Sequence, residues 1–259
     1  MEKAMEGSLA MVPAAWKYLA GSSDHHAGEL YQTSLMTALL EGVYEGDVTY
    51  GELHKHGNFG VGTFNDLDGE MVGLDGVFYQ LRSDGSVTVV EADQKTPFAV
   101  VTNFEPEESF QIAEEIQKPG LLAKIAEVVD ANHFAAVRLD GSFKEVRMRT
   151  VKRQHRPFPP LNEATAHQDV TKLSNVSGTL AGFWTPAYAQ GIGVAGLHLH
   201  FLREDKQAGG HALDFTLQRG MLQVETLSGL HVELPDTRQF RNADLADAAL
   251  DKKIKDSEG

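Results

Sequence analysis

The 259-residue sequence predicts an α/β fold of the α+β type: two packed halves, each built on a mixed, largely antiparallel β-sheet with a few flanking helices. Three observations predict it. Short runs of alternating apolar and polar residues fill Gly46 to Asp93 between glycine-bearing turns, and similar runs dominate the chain after Pro160. Helical spacing is confined to a few stretches. Between these regions, His155-Arg-Pro-Phe-Pro-Pro160 interrupts both helix and strand, so it serves as the expected boundary between an N-terminal half (residues 1–155) and a sheet-rich C-terminal half (residues 156–259).

Taken in order, Gly21 to Gly28 has loop composition, and His25 and His26 are expected in solvent. From Glu29 to Glu41 the apolar residues Leu30, Tyr31, Leu35, Met36, Leu39 and Leu40 recur at helical spacing, with Gly42 as the stop. Strands are expected at Val61–Phe64, Met71–Leu74, Val77–Arg82 and Val87–Glu91, joined at Asp68-Gly69 and Asp84-Gly85. Gly60-Val-Gly-Thr-Phe-Asn begins like a dinucleotide loop but lacks the third glycine and the following helix, which excludes that reading. Glu52, His54 and His56 alternate and read as a polar face. Pro106 to Asp130 reads as the main helical region, with Pro119 opening its last segment. A hairpin turning at Asp140-Gly141 should follow, its second arm placing Arg147 and Arg149 on one face. A guanidinium there suits either acidic neighbours or a bound carboxylate, and the pattern does not choose. Further strands are expected at Val176–Phe183, Val194–Arg203, Ala212–Gln218, Leu222–Leu227 and His231–Leu234, and a last helix at Ala243–Lys255.

Composition narrows the function. The formal net charge of −14 offers no footprint for nucleic acid or an anionic membrane, so neither is an expected partner. The absence of cysteine removes disulfides, thiolate metal sites and a cysteine nucleophile together. Any transition metal must use histidine and carboxylate. No apolar run is long enough to span a bilayer, and Met1 to Trp16 lacks a basic start followed by an apolar segment, so the chain as given is expected to be cytoplasmic or already processed.

The chemistry concentrates in Gly196-Leu-His-Leu-His-Phe-Leu-Arg through Gly209-Gly-His211. In a strand, Leu197, Leu199 and Phe201 face one side and His198 and His200 the other, while Ala208, Gly209 and Gly210 let His211 return on the neighbouring strand. Three histidines so placed suit a zinc ion with an open fourth position, the catalytic form of such a site. Zinc held this way activates water or polarises substrate oxygens, which leaves open a hydrolase of a small ester or lactone, a lyase, and a non-enzymatic module that binds a small anion. A cupin-like site using Glu204 is disfavoured, because the second glycine-and-histidine motif is absent.

Longer motifs then add a resemblance. Gly46-Asp-Val-Thr-Tyr-Gly-Glu, the run from Lys55-His-Gly-Asn-Phe-Gly to Leu-Asp-Gly-Glu70, Phe78-Tyr-Gln-Leu-Arg-Ser-Asp-Gly85, Thr185-Pro-Ala-Tyr-Ala189 and the histidine segment together resemble the alpha-acetolactate decarboxylases, from about Gly46 to the C-terminus. The resemblance implies conversion of 2-acetolactate to acetoin and carbon dioxide without an organic cofactor, a two-part α/β fold, and a homodimer. It implies zinc held by His198, His200 and His211. It carries Thr63 and Arg149 over as substrate-binding residues, and Glu70, Arg149 and Glu258 as catalytic ones. On that reading zinc chelates the ketone and hydroxyl oxygens of the substrate, Arg149 orients its carboxylate, and Glu70 or Glu258 protonates the enediolate.

Overall fold

The computed structural model describes residues 28–166, 168–246 and 257. The expected loop at 21–28, most of the expected helix at Ala243–Lys255 and Glu258 lie outside them; within them, 243–246 are not helical.

Two sheets face each other. The seven-stranded sheet runs in the order β13-β1-β6-β2-β3-β4-β5, with β1 at Glu29–Thr33, β2 at Phe59–Thr63, β3 at Glu70–Leu74, β4 at Val77–Leu81, β5 at Val87–Val89, β6 at Ala99–Thr102 and β13 at Gly229–Glu233. Its pairings are antiparallel except that of β1 with β13. The second sheet runs β11-β10-β9-β12-β7, from β7 at Glu108–Ile112, β9 at Phe134–Thr150, β10 at Asp169–Thr185, β11 at Gly196–Arg203 and β12 at Gly209–Leu227. The short β8 at Ile116–Gln117 pairs with β12, and β11 also pairs back to β12, so four strands of this sheet close on themselves. Sheet membership changes at β7 and again at β13. The segment from His155 to Pro160 therefore connects β9 to β10 within one sheet rather than separating two.

Alternation along the strands sorts side chains into layers. Val61, Val72, Leu74 and Val100 of the first sheet, with Phe98 just before β6, meet Phe134, Ala136, Phe183 and Leu202 of the second in a core between the sheets, which the short helices α1 (Met36–Leu40) and α4 (Leu161–Thr165) close. The far face of the second sheet packs Val137, Phe143, Leu199, Phe201 and Leu222 against Leu121 and Ile125 of α3 (Lys118–Ala126). Tyr50 and Leu53 of α2 (Tyr50–Leu53) cover Met71, Phe78 and Val101 on the outer face of the first sheet. A fifth short helix, α5, spans Arg238–Asn242. Each large apolar side chain buried in these layers contributes roughly 1.5–3 kcal/mol.

Several elements differ from the sequence-based expectation. Residues 29–33 are strand, because Glu29 to Thr33 pair with Gly229 to Glu233 on one side while β6 pairs on the other; the helix starts only at Met36. Of the region from Pro106 to Asp130, only Lys118–Ala126 is helical, with Pro119 in its first turn as expected, while Glu108–Ile112 pairs with β12. Asp140-Gly141 is no turn. Gly141 lies directly opposite Gly178 on one side and Gly220 on the other, so three glycines form a row across β10, β9 and β12. A Cβ on Gly141 would lie 2.5 Å from the Arg219 carbonyl oxygen, so close crossing, not chain reversal, explains the residue. Asp140 accepts instead from Thr179 Oγ1 at 2.5 Å and Arg138 Nε at 2.7 Å. For the same reason, the two strands expected on either side of Gly220 are one 19-residue strand.

Candidate active site

The site lies between the sheets and is built from both. On β11, Leu199 and Phe201 enter the core beneath the second sheet, which turns His198 and His200 toward the first, as the alternation predicts. His211 stands directly opposite His200 on β12, and Arg149 on β9 stands directly opposite His211. Cross-strand partners share a face, so His200, His211 and Arg149 form a row across three strands. Arg147 lies on the same side of its strand but is exposed, whereas Arg149 is buried and lines the cleft.

From the first sheet come Thr63 and Glu70, paired across the end of the β2–β3 hairpin. The intervening turn uses Asp66, Leu67 and Gly69 at positive φ. Gly69 is required twice over: its φ is +93°, and a Cβ there would meet the Leu81 carbonyl oxygen at 2.4 Å. Asn65 fastens the turn by accepting from the Gly46 amide at 2.9 Å and donating to its carbonyl at 3.1 Å. Asp68 accepts from Arg82 Nε at 3.1 Å. Much of the Leu-Asp-Gly-Glu and Gly46 motifs thus serves to deliver Thr63 and Glu70 to the site. Thr63 Oγ1 donates to the Gly69 carbonyl at 2.7 Å, which leaves its oxygen an acceptor toward the cavity.

Thr63, Glu70, Arg149, His198, His200 and His211 line one cleft. Its walls are largely apolar, from Met36, Leu39, Phe98, Val151 and Leu161 among others. Such a lining excludes water and strengthens every charge interaction within. Met36 and Leu39 carry only the apolar spacing of core residues, and nothing in the sequence marks Phe98, Val151 or Leu161 as lining a site.

The ligand atoms of the three histidines lie within 4.8 Å of one another. Their electronic state suits a metal. Desolvation, with the nearby Arg149 and Lys118 charges adding to it, pushes His198 down to about 3. Burial likewise holds His200 and His211 well below the ordinary histidine range. All three imidazoles are therefore neutral at physiological pH and keep a lone pair. For His200 the free lone pair is assignable. Its Nδ1 lies 2.7 Å from the Met71 carbonyl, which can only accept, so Nδ1 carries the proton and Nε2 does not. That Nε2 is buried and makes no hydrogen bond. His198 Nε2 and His211 Nδ1 are 3.0 Å apart, so two further nitrogens converge on the same place. A buried acceptor without a donor is costly, and a cation removes the cost. The donor set of three imidazoles and no thiolate fits zinc.

A comparison of sequences decides the family. The sequence profile described as Alpha-acetolactate decarboxylase matches residues 30–247. The chain belongs to the alpha-acetolactate decarboxylase family. Among its relatives, the alpha-acetolactate decarboxylase of Bacillus subtilis strain 168 is 42% identical over 240 residues, covering 92% of this chain and 94% of the relative. That of Klebsiella aerogenes is 43% identical over 242 residues, covering 92% of each. The crystal structure of the Bacillus subtilis strain 168 protein superimposes with a TM-score of 0.88, covering 89% of this chain and 99% of that one. The family's α+β architecture is therefore the architecture expected from sequence.

Among the predicted site residues, Glu258 lies outside the described ones; its neighbour Ser257 is fully buried. His54, expected on a polar face, contacts the Gly76 carbonyl at 3.0 Å, away from the cleft. Among the described residues, no helix is long and apolar enough to cross a membrane.

Proposed function

We propose that the chain decarboxylates 2-acetolactate to acetoin at a zinc ion held by His198, His200 and His211. The observation that carries this is the convergence of three neutral imidazoles, one guanidinium and one carboxyl group in a single apolar cleft, in a chain of this family. When bound, zinc supplies a Lewis acid that draws electron density from the ketone and hydroxyl oxygens of the substrate.

The remaining steps belong to the chain's own side chains. Arg149 takes the carboxylate of acetolactate and fixes the angle of the bond to be broken. Thr63 Oγ1, its proton committed to Gly69, accepts from the substrate hydroxyl. The bond to the carboxyl carbon breaks, carbon dioxide leaves, and the electron pair remains on the substrate as an enediolate. Glu70, protonated in the complex, then gives its proton to the carbon that lost carbon dioxide, which completes acetoin; a proton from solvent restores the acid. Glu258 is the alternative donor. Were Glu258 to come close to Glu70, one of the pair would stay protonated, because both cannot ionise cheaply in a low-dielectric cleft. A homodimer and a cytoplasmic location complete the proposal.

Incubating the protein with acetolactate while following acetoin tests this reading. Zinc-dependent acetoin formation supports it; hydrolysis of a small ester or lactone without acetoin would replace it with a zinc hydrolase. Anion binding with no turnover would replace it with a binding module.

A further inference from the structure

We propose that Gln168 is a positioning residue for substrate recognition, holding the Arg149 guanidinium in its carboxylate-binding pose through a neutral acceptor. This rests on the reading of Arg149 as the carboxylate ligand. Arg149 is 4% exposed, and its Nη1 donates to Gln168 Oε1 at 2.9 Å. The backbone fixes both ends of that contact. Arg149 stands opposite Val170 in the β9–β10 ladder, and Gln168 lies just before β10, two residues ahead of Val170. The Gln168 amide donates to the Thr165 carbonyl at 3.1 Å, which ties the residue to the end of α4, and Thr165 and Leu161 of that helix line the cleft. Gln168 thus links the wall of the site to its cation.

The choice of an amide has a chemical consequence. A long, flexible arginine side chain loses rotamer freedom when ordered, and a hydrogen bond to one nitrogen supplies part of that ordering before substrate arrives. A carboxylate at the same place would also order it, but would add a negative charge beside the incoming carboxylate. Glutamine orients without adding charge. Its effect falls on binding of the anion and leaves the metal ligands untouched.

The test compares Gln168→Ala and the nearly isosteric Gln168→Glu with the zinc-loaded wild-type protein and with Arg149→Ala. It measures KM and kcat for acetolactate, the inhibition constant of lactate as a carboxylate probe, zinc content and thermal stability. In Q168A, KM and the lactate constant should both rise about tenfold, the size of one hydrogen bond to a charged group. Its kcat should stay within about threefold, since the bond is made before and during reaction alike. In Q168E both constants should rise further, because the added charge repels the anion. If both variants keep wild-type KM and lactate affinity while R149A loses them, the positioning role is overturned and the role of Arg149 stands. If R149A itself keeps wild-type affinity, the reading of Arg149 fails first. A parallel fall in kcat, zinc content and melting temperature in both Gln168 variants would make the residue structural and also overturn the proposal.

Discussion

Glu70 Oε2 lies 3.7 Å from His200 Nε2, across the gap between the two sheets. The same pair of strands is joined a second time, by the His200 Nδ1 contact with the Met71 carbonyl at 2.7 Å. One strand of the first sheet therefore sets both the tautomer of His200, a proposed metal ligand, and the position of Glu70, the proposed acid beside it.

Glu70→Gln keeps size and polarity but cannot release a carboxyl proton. Its kcat should fall by about 10²-fold or more, the usual contribution of a positioned general acid. Zinc content should be unchanged. Steady-state kinetics with metal analysis checks both, and loss of zinc in this variant would make Glu70 a ligand rather than a donor.

His198→Ala removes one of three ligands from a cluster in which no described cysteine or other histidine can replace it. Metal and turnover should disappear together. The protein should remain folded, because Leu199 and Phe201 on the opposite face of β11 still fill their core. Circular dichroism alongside metal analysis separates loss of the ion from loss of the fold.

Arg149→Ala should abolish decarboxylation with metal content near normal. Arg149→Lys should restore little, since an ammonium offers no planar fork to a carboxylate. Metal loss in either variant would reassign Arg149 to support of His211, its direct cross-strand partner.

Truncation before Asp256 removes Glu258 together with Ser257, which is fully buried. Turnover should fall by about 10²-fold or more while zinc is retained. Unchanged turnover would leave Glu70 as the sole donor.

Away from the site, Glu225 gives a pH-dependent term in stability. Burial, with Glu107 and Glu105 nearby, pushes its carboxyl up to about 7, although it accepts a bond from the Glu105 amide at 3.0 Å. A raised carboxyl value means that the unfolded chain loses this proton first as pH rises. The associated stability is complete below about pH 4.5 and is lost progressively up to about pH 7. Glu225→Gln should therefore match wild type in thermal melts near pH 4 and melt higher at pH 8. Parallel melting curves across that range would contradict the assignment.

The strand of histidines was legible because period-two alternation encodes the faces of a strand directly, and the paired apolar residues Leu199 and Phe201 confirm it. The hairpin delivering Thr63 and Glu70 was legible for a related reason: Asp68-Gly69 marks a turn that only a few residue types can make. Gly141 misled because glycine serves turns and close crossings alike, and only its partners Gly178 and Gly220, distant in sequence, distinguish the two. Leu30 and Tyr31 misled in the same way. Their spacing is helical, but pairing of β1 with β13, 200 residues away, overrides local preference. Gln168 carried no sequence signal at all, since its meaning depends on Arg149 being its neighbour across a ladder.

The most direct test is metal analysis coupled to acetoin formation on one preparation. The protein as purified should hold about one zinc per chain. A chelator should remove metal and acetoin formation in proportion, and added zinc should restore both. Full acetoin formation by the metal-free protein would contradict the assignment of His198, His200 and His211 as the centre of the reaction.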